Sequence, residues 1–173
     1  MADPPQFLTL KENRDASEVY ELLARRTFFA LLGIVLLMGL ANVFGEMPTR
    51  TNVTSPAARL EVSAPLDLRG GLFYQGRFDI HANRDLEHAT LVLANGWLEQ
   101  MHINTIEPAP IAESSRDGLL ALDFGHVAAG DSITAYVQFQ VNPTNVGCRP
   151  QDVQLFDDTE LLATADRNVC IYP

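Results

Sequence analysis

The chain has 173 residues, 47% of them hydrophobic, and a formal net charge of −10. This length accommodates one folded domain in addition to a membrane segment. Twelve Lys and Arg face 22 Asp and Glu. Because binding to phosphate needs clustered basic residues, we do not expect the chain to bind nucleic acid.

The N-terminal part combines a polar tail with a strongly apolar segment. Residues 1–14 include Pro4 and Pro5 and show no periodicity, so they are predicted to be a disordered cytoplasmic tail. Residues 15–45 are predicted to form a juxtamembrane and transmembrane helix. Within it, Thr27–Gly45 contains no charged residue. At a rise of ~1.5 Å per residue this stretch covers about 28 Å, close to the hydrocarbon thickness of a bilayer.

Charges on either side of the apolar segment predict its orientation. Four basic residues lie before it and two lie within reach after it: Lys11, Arg14, Arg25 and Arg26 against Arg50 and Arg59. The positive-inside rule then predicts a single-pass signal-anchor in the cell membrane, with a cytoplasmic N-terminus and an extracytoplasmic C-terminal domain. A cleaved signal peptide is the alternative, although the long preceding region with five acidic residues is atypical of one.

The remainder of the chain is typical of short strands. Residues 46–57 are predicted to be a polar linker, and residues 58–173 an immunoglobulin-like antiparallel β-sandwich. The clearest strand is Ile133–Val141, where apolar and polar residues alternate over nine positions. Asn95-Gly96 predicts a tight turn, and Glu107–Asp117 a loop. Seven or eight strands with regular turns favour an all-β sandwich.

Cys148 and Cys170 are predicted to form a cross-strand disulfide. If the last strands form a hairpin centred near Thr159, positions whose numbers add up to 318 face each other, and this pair satisfies that rule. Both side chains are then expected to point outward, and an oxidising compartment permits the bond. Two free thiols are the alternative. A zinc site lacks further cysteines, and the four histidines are scattered.

Two segments resemble known protein groups. DGLLALDFGHVAAGDSI, residues 117–133, resembles the signature of bacterial immunoglobulin-like conserved-repeat domains on cell surfaces, and YQGRFDIHANRD, residues 74–85, resembles their early strand. The usual Asn-x-Gly ending of that strand is replaced here by Asn83-Arg84-Asp85. VNPTNVGCRPQDVQLFDD, residues 141–158, and the final Tyr-Pro are similar to small actinobacterial single-pass membrane proteins of unknown function. That resemblance implies a neighbouring multi-pass membrane protein as partner.

Residues with catalytic or binding chemistry are sparse. His81, His88, His102 and His126 fall on four predicted segments, and no nucleophile elbow, His-Glu-x-x-His motif or phosphate loop is present. We therefore expect no catalytic residue, no metal site and no cofactor, and we do not expect an enzyme. Trp97 is expected in the core, with an exposed sugar-stacking ring as the alternative. Tyr136 is a second candidate for ligand stacking.

Together these features predict a membrane-anchored extracytoplasmic interaction or accessory module. Its expected partners are the bilayer and another membrane or envelope protein. A carbohydrate or cell-wall binding module using Trp97 or Tyr136 is the alternative. The sequence predicts neither a specific ligand nor an oligomeric state.

Overall fold

The computed structural model describes residues 11–41 and 47–173. The chain divides into two compact units, Met1–Gly45 and Glu46–Pro173. The first unit contains helix α1, Lys11–Leu40. In the described part of the second unit, residues 47–173, the regular elements are strands and a short 3-10 helix at Asn95–Trp97.

Helix α1 contains a segment that is long and apolar enough to cross a membrane. That segment, Tyr20–Leu40, has 21 residues, a mean hydropathy of 1.8 and no buried residue. The same composition fits a signal sequence. Because α1 includes residues 11–14, the predicted disorder of the 1–14 tail is wrong there, and residues 1–10 lie outside the described part of the chain. Residues 42–45 of the predicted helix also lie outside it.

The second unit is built from thirteen described strands. They are β1 (Thr49–Thr54), β2 (Ala58–Ala64), β3 (Asp67–Arg69), β4 (Phe73–Ala82), β5 (Ala89–Leu93), β6 (Met101–Glu107), β7 (Ala112–Arg116), β8 (Leu119–Asp123), β9 (Ser132–Val141), β10 (Gly147–Pro150), β11 (Val153–Asp157), β12 (Glu160–Ala165) and β13 (Asn168–Tyr172).

These strands form two five-stranded sheets and one three-stranded sheet. Sheet A has the order β1-β2-β4-β9-β6, sheet B the order β12-β11-β5-β8-β7, and sheet C the order β10-β13-β3. All pairs are antiparallel except β13 with β3. The buried faces of the sheets form one hydrophobic cluster. The predicted all-β class, an immunoglobulin-like antiparallel sandwich preceded by one apolar helix, is confirmed.

Three predicted connections have a different structure. Strand β1 lies within the predicted 46–57 linker, because its polar residues pair along the edge of sheet A without needing a buried face. Strand β7 lies within the predicted 107–117 loop for the same reason. The Asn95-Gly96 pair opens the 3-10 helix instead of a hairpin turn, and Gly96 is buried there.

The core contains a cluster of aromatic rings that are far apart in the sequence. Trp97 is fully buried, with its ring centroid 5.1 Å from that of Phe78 and 5.2 Å from that of Phe139. Its Nε1 donates to the carbonyl oxygen of Gln151 at 3.0 Å. A buried indole N–H needs such an acceptor, so this bond fixes the orientation of the ring.

Candidate functional site

The outer face of sheet A presents ordered polar side chains in rows across the strands. One row contains Arg50, Ser63, Arg77, Tyr136 and Glu107, which face one another in register from β1 to β6. Directly opposed side chains on one face of a sheet lie close enough to interact. This row therefore forms a continuous polar strip across all five strands, and we call it the Tyr136 row.

Tyr136 is the half-exposed aromatic of this row. Its exposed fraction is 37%, and the guanidinium carbon of Arg77 lies 5.9 Å from its ring centroid. Beside it is a depression of about 320 Å³ lined by Pro48, Ser63, Pro65, Tyr74, Gln75, Arg77 and Tyr136. The structure thus places this predicted stacking residue at an accessible surface, and its role as a ligand platform stays a prediction.

Arg77 is held in place by Asp79. Its Nε lies 2.8 Å from Oδ2 and its second terminal nitrogen donates to Oδ1 at 2.9 Å. This two-point bond raises the pKa of Arg77 above its already high value. Bidentate pairing also restricts the guanidinium of Arg77 to one orientation beside Tyr136.

Charges balance on this face. Three arginines and three acidic residues project from it, namely Arg50, Arg59 and Arg77 with Glu61, Asp79 and Glu107. Residues 46–173 as a whole carry eight Arg and seventeen Asp or Glu. The excess acidic charge of the domain therefore lies elsewhere, and this face does not repel a partner of either sign.

A second depression lies against the outer face of sheet B. Its volume is about 340 Å³, and its lining includes His88, Ser114, Arg116, Asp123 and Asp158. His88 Nδ1 lies 2.9 Å from Asp123 Oδ2, and this hydrogen bond is the main reason that the pKa of His88 is raised above 6.5. The sequence provided no partner for this histidine, because Asp123 is 35 positions away on another strand.

Arg116 closes this second depression at the side. Its guanidinium lies 4.2 Å from the ring centroid of Phe156 and donates to the carbonyl oxygen of Asp158. One of its terminal nitrogens is buried without a hydrogen-bond partner. One donor of Arg116 and its stacking on Phe156 thus connect β7 to β11 and the turn after it, which favours a structural role over ligand capture.

The predicted disulfide is confirmed. Cys148 and Cys170 are bonded at an S–S distance of 2.06 Å, directly opposite each other on β10 and β13. Cys148 is exposed and Cys170 is half-buried, as the outward direction predicted.

The expectation of a core position for Trp97 is confirmed, and the alternative of an exposed stacking platform at Trp97 is wrong. The ring has no exposed surface because the 3-10 helix turns it into the aromatic cluster. The predicted site residues therefore separate into a buried core group, a surface disulfide and an exposed tyrosine.

The histidines do not converge on one site. His81 Nδ1 lies 2.8 Å from Ser132 Oγ on sheet A, while His88 is bonded to Asp123 on sheet B. Among residues 20–41 and 47–173, no group of three His, Cys, Asp or Glu is arranged to hold a metal ion.

Sequence reasoning missed a buried arginine. Arg167 is only 5% exposed, and its guanidinium donates to the carbonyl oxygens of Thr49, Val62 and Ala64 and to Thr51 Oγ1, at distances from 2.6 to 3.2 Å. Burial lowers its pKa from the usual value. Its neighbours Asp166 and Asn168 suggest an exposed turn, so nothing in the local pattern indicates this role.

No protein-family model matches this sequence, and no curated protein matches it. Among solved structures, it is similar to a non-cellulosomal cohesin from the archaeon Archaeoglobus fulgidus, with 14% identity over 64% of this chain and 88% of that one, at a TM-score of 0.40.

Two further solved structures are similar to this chain, with comparable identities and TM-scores. A CARDB domain from Pyrococcus furiosus, solved with di-metal ions, has 12% identity over 73% of this chain and 94% of that one, at a TM-score of 0.37. An exo-β-N-acetylglucosaminidase from Vibrio harveyi has 12% identity over 73% of this chain and 18% of that one, at a TM-score of 0.33. At these identities and scores, none of them assigns a ligand or an activity.

Proposed function

We propose that the chain is a single-pass membrane protein whose β-sandwich lies outside the cytoplasm and binds another membrane or envelope protein. The observation that carries the proposal is the Tyr136 row with its ordered neighbours. It combines an exposed tyrosine, a pre-oriented arginine and balanced charges on a five-stranded face. Tyrosine and arginine are the residue types enriched at the energetic centres of protein interfaces.

The anchor and the disulfide support the proposed location. The segment Tyr20–Leu40 of α1 is long and apolar enough to cross a membrane, and a stable disulfide is typical of oxidising compartments. The acidic balance of the domain argues against nucleic acid as a partner. We propose a binding role and not a catalytic one.

Site-specific photocrosslinking in native membranes tests this function. A photoreactive amino acid at position 136 should capture a discrete partner protein, and the same group at Gln154, on the outer face of sheet B, should not. Arg77→Glu should abolish the capture because it reverses the charge beside Tyr136. Equal labelling at positions 136 and 154, or none at either, would contradict a protein partner on sheet A.

The depression beside Tyr136 favours a second candidate, a carbohydrate or cell-wall module. A half-exposed ring flanked by Arg77, Ser63 and Gln75 offers a stacking face together with hydrogen-bond donors and acceptors. Retention on isolated wall material should then be lost in Tyr136→Ala and kept in Tyr172→Ala, which removes another exposed tyrosine. Equal retention of both variants would refute this candidate.

A further inference from the structure

One end of the sandwich is identified by where the strands of sheet A begin. Strands β1 and β4 both run antiparallel to β2, so their first residues, Thr49 and Phe73, lie at the same end. The last residues of β9 are there too, since Phe73 faces Gln140. Eight residues, 41–48, connect Leu40 at the end of α1 to Thr49. This is therefore the end at which the chain enters from its apolar helix.

Exposed apolar side chains gather at this end. They belong to Leu72, Phe73, Val146 and Tyr172, which we call the terminal patch. Backbone hydrogen bonds bring their segments together: Gly70 N–H donates to the Tyr172 oxygen at 2.9 Å, and Val141 N–H donates to the Leu72 oxygen at 2.9 Å. Val146 directly precedes Gly147, which faces Ile171 on β13.

The fold holds the terminal patch in a fixed arrangement. The disulfide joins β10 to β13, and β13 pairs with β3, which leads into the turn that carries Leu72. Within this turn, a Cβ on Gly70 would lie 2.6 Å from the oxygen of Pro143, so the turn and the loop before β10 are in close contact. The exposed apolar groups are thus presented by a rigid surface.

Acidic residues are concentrated at the end of the sandwich opposite the terminal patch. Seven acidic residues lie at the other end of the sandwich, around the turns that connect β4 to β5, β8 to β9 and β11 to β12: Asp85, Glu87, Asp123, Asp131, Asp157, Asp158 and Glu160. Arg84 pairs there with Asp157 at 3.6 Å and with Glu160 at 2.6 Å. Near the terminal patch, Glu99 is paired with Arg149 at 3.3 Å, and Asp67 accepts a hydrogen bond from the Tyr172 hydroxyl at 3.4 Å. Asp152 and Asp166 also lie toward this end, where β11 begins and β12 ends. We call the end with the seven acidic residues the acidic end.

We propose that the terminal patch inserts into the interfacial region of the lipid bilayer, with the acidic end directed away from the lipid. This inference rests on the proposed membrane anchoring. Aromatic and aliphatic side chains favour the boundary between headgroups and acyl chains, whereas carboxylates are repelled by anionic lipid. Because only eight residues of sequence separate Leu40 from Thr49, the local concentration of lipid at the patch is high, and this favours binding through a small apolar area.

Tryptophan quenching in the full-length protein tests the proposal. Leu72→Trp places a reporter in the terminal patch, and Leu161→Trp places the same reporter near the acidic end. The two leucines are comparably exposed, at 39% and 50%. Each variant is reconstituted into phosphatidylcholine vesicles with and without bromine on the acyl chains. Trp97 contributes the same buried background to both, and its emission reports that the core is intact.

We expect brominated lipid to quench Leu72→Trp several-fold more strongly than Leu161→Trp, with a blue-shifted emission for the former. Val146→Trp should behave like Leu72→Trp. Vesicles that carry the protein but leave Leu72→Trp and Val146→Trp as weakly quenched as Leu161→Trp would overturn membrane insertion of the patch. Failure of the protein to float with the vesicles would instead overturn the anchoring, and the inference with it.

Discussion

Arg167 is the residue whose loss should affect the domain most directly. Its donors satisfy three backbone carbonyls on β1 and β2, and no other side chain has the reach and the planar fork to replace it there. The cost of burying a charge is offset because four hydrogen bonds surround it. Breaking such an arrangement leaves buried carbonyl groups without donors.

Arg167→Lys should therefore destabilise the domain by about 2–4 kcal/mol, since one ammonium group cannot reach acceptors on both strands. For this variant we expect a lower midpoint of urea unfolding and faster amide hydrogen exchange in β1. Arg59→Lys, at an exposed ion pair with Glu61, is the matched control and should change stability little. Equal effects of the two substitutions would exclude the buried role of Arg167.

The hydrogen bond between His88 and Asp123 makes the stability of the domain depend on pH, and this dependence can be tested. Its pKa is raised in the folded state by the hydrogen bond to Asp123, so the charged imidazole is the form that this bond stabilises. The contribution of this hydrogen bond to the unfolding free energy is complete below pH 6.5, which is the ordinary pKa of histidine. It is lost as the pH rises through the higher pKa of the folded state.

NMR titration should accordingly give His88 a pKa above 6.5, and Asp123→Asn should lower it. The difference in unfolding free energy between wild type and Asp123→Asn should be largest in mild acid and shrink as the solution becomes alkaline. A His88 titration that is unchanged in Asp123→Asn would contradict the pairing.

At the level of strands, periodicity in the sequence predicted the all-β class and the long strand β9, and it did not predict the polar strands β1 and β7. Buried and more exposed positions alternate along β2, β4 and β9, which is the pattern that local sequence reveals. Polar strands such as β1 and β7 are edge strands, and their pairing depends on a neighbouring strand that local sequence does not show. The Tyr136 row was missed for the same reason, since only the register across five strands creates it.

The strand register that aligns the two cysteines is only partly visible in the sequence, although the predicted disulfide is correct. Near their turn, β11 and β12 pair with Asp157 opposite Glu160, which is one position out of the register that the cysteines require. A β-bulge between Leu155 and Phe156 restores that register, so that Val153 faces Ala165. From there it continues through the Gln151–Arg167 backbone bond to Cys148 and Cys170.

Removal of the disulfide should loosen sheet C. Because the bond closes a loop of 22 residues, its loss in Cys148→Ser/Cys170→Ser should cost about 3 kcal/mol of unfolding free energy. Wild type should lose the same amount in reductant, while the double variant should be insensitive to it. Two freely alkylated thiols in the unreduced protein would contradict the bond.

The 3-10 helix depends on a glycine with no room for a side chain. A Cβ on Gly96 would lie 2.1 Å from the oxygen of Pro150, which is backbone and cannot move without displacing β10. Gly96→Ala should destabilise the domain by about 3 kcal/mol or more and shift Trp97 fluorescence. Gly118→Asn is the control, because that site has no neighbour within 4 Å and asparagine tolerates its φ of +80°. Equal losses in both variants would argue against the steric reason.

For the whole molecule, the property to test is the membrane topology, that is, the side of the membrane on which the sandwich lies. Four basic residues before the apolar segment predict that the sandwich is outside the cytoplasm. Protease added to intact spheroplasts should therefore remove a C-terminal tag and leave an N-terminal tag protected. Moving Arg25 and Arg26 to the other side of the segment should reduce this asymmetry. Protection of the C-terminal tag in intact spheroplasts, with cleavage only after lysis, would reverse the assigned orientation.

Arg167 also has a mechanical consequence. In a chain anchored through α1, as proposed, tension enters the folded domain at the first residue of β1, and Thr49 is where the guanidinium makes one of its bonds. The same side chain holds the end of β2 and belongs to the segment that joins β12 to β13. A pulling force at Thr49 is thus shared at once among several strands, and β1 resists being peeled from the edge of its sheet.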